Sequence, residues 1–299
     1  MDADVQPTLP PDDARLRAAP DQRAGDSPAL DRRGDHARRR LRVRDLRDAR
    51  GAPAAGVLAL IHLDGITLTF PGKGARSLRE RISSTFGVKT LPAGRGEVTA
   101  LRGIDLRVRH GEHVGVIGLN GAGKTTLLKV MCGIYTPTSG RVTVEGDIAC
   151  LFEVATGFEM EATGWQNIIT RGLLVGLSRR EVRERTREIA EFTELGDALD
   201  RPVKTYSAGM FLRLAFAVST SILPDVLLLD EVVAAGDQRF HEKAQRRLQQ
   251  MVDHASILVL VSHSMETIRR MCQRVVWIEK GLVRMDGSAE DVIDAYTTQ

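Results

Sequence analysis

The sequence has 299 residues and is 42% hydrophobic, 27% charged and only 4% aromatic, with a net charge of +3. A core built here rests on aliphatic side chains and suffices for one large domain or two small ones. So small a charge gives no reason to expect nucleic acid as a partner, and the basic residues read as a solvated surface.

Residues 1–50 stand apart from the rest. They hold 12 Arg and 10 Asp, no Lys or Glu, no aromatic residue, and prolines at 7, 10, 11, 20 and 28. Such a stretch buries too little apolar surface to offset chain entropy, so residues 1–56 are expected to be a disordered extension. The run Arg38-Arg39-Arg40-Leu41-Arg42 is suited to anionic lipid, but the interspersed Asp residues favour a solvated tail. Nothing at the N-terminus resembles the apolar core of a secretory signal. No apolar run reaches the roughly 18–20 residues that span a bilayer, so any membrane role is expected to run through a partner.

Order is expected from about residue 57 to the end. Ile66-Thr67-Leu68-Thr69-Phe70 alternates as a half-buried strand does. Within 75–86, Leu78, Ile82 and Phe86 fall four apart, on one helical face. Two strand-like runs follow at 97–101 and 104–109, then a nearly continuous apolar strand from His113 to Leu119. Helix, strand and loop signals then alternate to the C-terminus, which predicts an α/β domain. The cysteines Cys132, Cys150 and Cys272 are far apart and form no CxxC pair. That spacing indicates neither a zinc site nor a disulfide framework and fits a reducing compartment.

Gly118-Leu119-Asn120-Gly121-Ala122-Gly123-Lys124-Thr125 satisfies the P-loop pattern GxxxxGK[ST]. It follows a strand and precedes an apolar helical run (Leu127, Leu128, Val130, Met131), which is the context the pattern needs. Glycines let backbone N–H groups turn around phosphate oxygens, and the helix N-terminus adds partial positive charge. Lys124 is expected at the β- and γ-phosphates, the Thr125 hydroxyl on Mg²⁺, and Thr126 alongside. The apolar strand Val226-Leu227-Leu228-Leu229 ends in Asp230 and Glu231. Asp230 is expected to hold Mg²⁺ and Glu231 to polarise the attacking water.

Tyr206-Ser207-Ala208-Gly209-Met210 opens an apolar helix upstream of that acidic strand. It resembles the signature motif of ABC transporter ATPases, whose commonest form is Leu-Ser-Gly-Gly-Gln. Ala234-Ala235-Gly236-Asp237 resembles the family's D-loop, and His263, after Val259-Leu260-Val261-Ser262, its switch histidine. The further stretches 133–140, 156–168, 192–197 and 202–207, with the long segment 71–97, are most similar to the ATPases that export O-antigen, teichoic acid, capsule or galactan.

The resemblance implies an α/β P-loop NTPase of ABC type over 57–299. It would have a RecA-like core, an antiparallel β-subdomain and an inserted helical subdomain at about 160–205. It implies ATP and Mg²⁺ as ligands and a homodimer in which Ser207 of one copy faces the P-loop of the other. It implies a separate membrane permease at the cytoplasmic face of the inner membrane, received by the helical region between Glu153 and Tyr206. Asp237 would help to align the two sites, and His263 would contact the γ-phosphate. Ala208 and Met210 depart from the common signature, and Met210 removes a polar contact. Where most of the family has a glutamine, this chain has Leu151-Phe152-Glu153-Val154, and Glu153 is the candidate replacement near Mg²⁺. Phe70 is suited to stack on adenine and equally to sit in the core. The segment Ala75–Phe86 would lie near a substrate entrance or pack on the β-subdomain. The chain ends at Gln299, so the extra C-terminal sugar-binding domain of some members is expected to be absent. An importer ATPase is the alternative, and less so a soluble ABC protein acting on ribosomes or DNA.

Overall fold

The computed structural model describes residues 58–71, 96–152, 154–230 and 238–298. The extension 1–56, the helical segment Ala75–Phe86, Glu153, Glu231 and Asp237 lie outside the described residues.

The described residues form two sheets. The first begins with β1 (Leu60–Phe70), where Ile61, Leu63, Ile66 and Leu68 are buried and the intervening residues are more exposed. β1 lies between β2 (Val98–Arg109) and β4 (Ser139–Glu145), antiparallel to both. The two runs expected at 97–101 and 104–109 are one continuous strand, a correction to the sequence reading. The β1–β2 register shifts between Ile66 and Leu68, opposite Leu101 and Ile104. A bulge there breaks the period-two alternation while pairing continues on both sides. The Gly103 N–H donates to Thr67 Oγ1 at 3.0 Å, which closes the irregular step.

The second sheet has the order β5-β6-β7-β3-β8-β9. Its strands are β3 (His113–Ile117), β5 (Ile148–Cys150), β6 (Val226–Asp230), β7 (Ile257–Val261), β8 (Arg274–Glu279) and β9 (Leu282–Ser288). The first five in spatial order run parallel, and β9 pairs antiparallel with β8. The central strands β3, β6 and β7 are buried on both faces, so they read as nearly unbroken apolar runs.

Side chains alternate between two cores, as strand geometry requires. Val226 and Leu228 of β6 join β1, β2 and the buried face of α1 (Lys124–Met131) in one cluster. Leu227 and Leu229 face the opposite way. There they meet α5 (Gln238–His254), α6 (Met265–Met271) and α7 (Ala289–Thr297) through Met251, Ile268, Val292 and Ile293. Helix α1 therefore belongs to the layer that includes the antiparallel sheet.

A third apolar cluster joins α2 (Gly164–Leu174), α3 (Arg179–Thr193) and α4 (Ala208–Ser219) to Phe240 and Ala244 of α5. Thr163 and Ser178 start α2 and α3 with reciprocal capping boxes, completed by Gln166 and Glu181. On α3, Val182, Ile189 and Phe192 are buried, while most of its Arg and Glu residues are exposed. The aromatic rings of Phe192, Phe216 and Phe240 meet at centroid distances of 5.8–6.2 Å, tying α3, α4 and α5 together.

Candidate functional site

β3 stops at Ile117, two residues earlier than its apolar run suggests. Gly118 has φ of +144°, and a Cβ there would collide with the backbone carbonyl of Ile278 on β8. Only glycine lets the chain leave the sheet at this point. The loop that follows closes on itself through the Ala122 N–H to the Leu119 carbonyl at 3.1 Å. Helix α1 then begins at Lys124, with Leu127 N–H bonded to the Gly123 carbonyl at 2.8 Å.

Lys124 is 7% exposed, an unusual place for an ammonium group. Its Nζ donates to the carbonyls of Gly118 at 2.7 Å and Leu119 at 3.1 Å, which bends the side chain back along the loop. Asn120 and Gly121 lie exposed at the loop's crest, and Thr125 and Thr126 lie in the first turn of α1.

Thr125 also reaches across to the acidic strand. Its Oγ1 donates to Asp230 Oδ2 at 2.5 Å. Strand order explains the meeting: Asp230 is paired with Val261, and Val261 with Val116, in one row across β6, β7 and β3. The loop beginning at Gly118 lies two residues beyond Val116, and His263 two beyond Val261. All three chain ends therefore leave the same edge of the parallel sheet, where α/β folds place their ligands. His263 is exposed there, in a turn shaped by Ser262 Oγ and by Ser264, which caps α6. A hydroxyl and a carboxylate at that edge are the oxygen donors that Mg²⁺ takes alongside substrate phosphates.

Ser207 is the N-cap of α4, and its hydroxyl accepts from the Met210 N–H at 3.2 Å. Ala208, Gly209 and Met210 form the first turn. Among the described residues, a Cβ on Gly209 would find nothing nearer than Ser207 Oγ at 4.0 Å, so their packing does not require glycine there. Tyr206 has a different part. Its hydroxyl donates to the Ala198 carbonyl at 2.8 Å, and burial raises its phenol pKa. It anchors the turn before α4 to the helical cluster.

Phe70 is half-buried at the end of β1 and meets Tyr135 edge-to-face, with ring centroids 5.3 Å apart. The sequence alone did not single out Gly281, whose N–H donates to the Ala122 carbonyl of the loop at 2.9 Å. The Lys280-Gly281 pair between two apolar runs is a turn signal that marks its position.

The family model described as ABC transporter matches residues 101–234. The O-antigen export system ATP-binding protein RfbB of Myxococcus xanthus is 45% identical over 199 residues, covering 67% of this chain and 46% of that protein. The O-antigen export system ATP-binding protein RfbE of Yersinia enterocolitica is 41% identical over 223 residues, covering 73% and 93%. A dimeric ATP-binding cassette bound to ADP and Pi shares the fold, with a TM-score of 0.56 at 20% identity, over 77% of this chain and 98% of that one.

Proposed function

The chain belongs to the ABC transporter family, and we propose that it is the ATP-hydrolysing subunit of a polysaccharide exporter. The bond between Thr125 and Asp230 carries the reading, because it joins the loop after β3 to the acid of β6. In this reading Gly118, Leu119, Asn120, Gly121, Ala122 and Gly123 wrap the phosphates. Lys124 and Thr126 hold them by charge and hydroxyl. Thr125, Asp230 and Glu153 hold Mg²⁺. The metal would neutralise phosphate charge when bound. Glu231 orients the attacking water, and His263 contacts the γ-phosphate from the neighbouring strand end.

Two copies are needed in this reading. Ser207 and Gly209 of one copy would meet the phosphates held by the P-loop of the other, and Asp237 would align the pair. The open space around Gly209 supports this, since the described residues of its own chain give no reason for the glycine. Among the described residues, no helix is long and apolar enough to cross a membrane. The likeness to export ATP-binding proteins supports a separate permease, with this chain on the cytoplasmic face of the membrane. Ile169, Leu173 and Leu174 of α2 are exposed apolar residues in the region proposed to receive it. ATP binding closes the pair and hydrolysis releases it, which supplies the state-dependent binding energy that biases a two-state partner. The O-antigen relatives support a glycan as cargo.

The test is Glu231→Gln in the full chain with ATP and Mg²⁺. A long-lived dimer retaining unhydrolysed ATP is expected, read by light scattering and nucleotide analysis. Wild-type turnover from this variant would remove Glu231 from the mechanism.

A further inference from the structure

Three stretches of backbone meet where the P-loop turns into α1. The Gly281 N–H, in the β8–β9 turn, donates to the Ala122 carbonyl at 2.9 Å. The Gly281 carbonyl accepts from the Arg102 N–H of β2 at 2.8 Å. The Ala100 carbonyl lies against both glycines: a Cβ on Gly281 would sit 2.5 Å from it, and one on Gly123 2.8 Å. Both glycines have positive φ, +80° and +111°. No side chain fits at this junction, and the obstructing atoms are backbone, which cannot swing aside.

We infer that the β8–β9 turn is a positioning device for the nucleotide, acting through the peptide between Ala122 and Gly123. The C=O and N–H of a trans peptide point in opposite directions. By fixing the Ala122 carbonyl toward itself, Gly281 turns the Gly123 N–H away from the hairpin. That N–H is one of the donors a P-loop presents to phosphate. The second bond, from Arg102, fastens the turn to the antiparallel sheet, so the aim of Gly123 is set by three elements distant in sequence. Gly281 touches no substrate in this scheme. The inference rests on the nucleotide reading above and adds a residue outside its motifs.

The experiment measures affinity for a fluorescent N-methylanthraniloyl ATP with Mg²⁺, at a temperature well below each variant's melting midpoint. Gly281→Ala is compared with Gly111→Ala, which has φ of +86° but open space around its Cβ. Both carry the same kind of backbone strain, so a merely structural effect lowers both midpoints and leaves the affinity of folded protein unchanged. The expected result is at least tenfold weaker binding for Gly281→Ala alone. Wild-type affinity in folded Gly281→Ala overturns the inference while leaving the nucleotide reading intact. Failure of the wild-type chain to bind the probe overturns both. Amide hydrogen exchange on the unmutated chain gives a second readout that no folding defect can obscure. ATP is expected to slow exchange at Gly281, and an unchanged rate counts against the clamp.

Discussion

Thr125 Oγ1 and Asp230 Oδ2 are hydrogen-bonded although 105 positions separate them in the chain. The parallel order β6-β7-β3 brings the two ends to one edge, and this bond closes the gap between them. Residues in direct contact couple energetically. Thr125→Ala and Asp230→Ala are each expected to lower Mg²⁺-dependent ATP turnover by roughly tenfold to a hundredfold, the range for hydrogen bonds to charged groups. The double variant is expected to fall short of the product of the two effects. Full additivity in turnover assays would mean that the two side chains act separately.

Gly209 and Ser207 separate folding from assembly. Gly209→Ala adds a methyl group into open space on a helix, where alanine is better than glycine by about 1 kcal/mol. The melting midpoint of the isolated chain is expected to hold or rise while ATP turnover falls at least tenfold, because the proposed dimer places the partner's nucleotide in that space. Ser207→Ala also removes a helix cap and is expected to cost about 1 kcal/mol in denaturant unfolding.

Gly164 is a glycine for internal reasons. A Cβ there would collide with the Tyr206 hydroxyl and lie 3.0 Å from Leu199 Cα. Gly164→Ala is expected to destabilise the helical cluster by roughly 1–3 kcal/mol, the usual cost of overpacking. Tyr206→Phe, which keeps the ring and loses the bond to Ala198, is expected to cost about 1 kcal/mol. Urea titration with near-ultraviolet dichroism measures both.

Cys272 reports on the face of the sheet opposite α1. It is buried among Ile268, Val275 and Trp277, and burial pushes its thiol up to about 12. An unfolded thiol titrates near ~8.5. Between these values the unfolded chain binds fewer protons than the folded one, so Cys272 makes stability fall as pH rises through that window. Iodoacetamide at pH 9 is expected to leave Cys272 unmodified in the folded chain and to alkylate it in denaturant. Rapid modification of folded protein, detected by peptide mass, would show that this side of the core opens.

Much of the candidate site is legible in the sequence. The loop from Gly118 to Thr125 could be recognised locally, because its glycine spacing and the apolar helix after it are short-range patterns. The run Val226–Leu229 ending in Asp230 announced an apolar strand for the same reason, and its parallel pairing on both sides came from the structure. Ser207 could be read as a helix start from its hydroxyl and the apolar residues after it.

Other features depend on contacts that no local window contains. The sequence split β2 in two because a bulge looks like a break when the pairing strand is out of view. The part Tyr206 plays needed the Ala198 carbonyl, and the neighbours of Gly164 and Gly281 lie on other elements. Sequence by itself determined which residues are proposed to carry phosphate chemistry, since those patterns are consecutive. Only the tertiary structure decided how Thr125 meets Asp230, and how Gly281 reaches Ala122. Those distances follow from strand order and backbone approach, which arise when the whole sheet is assembled.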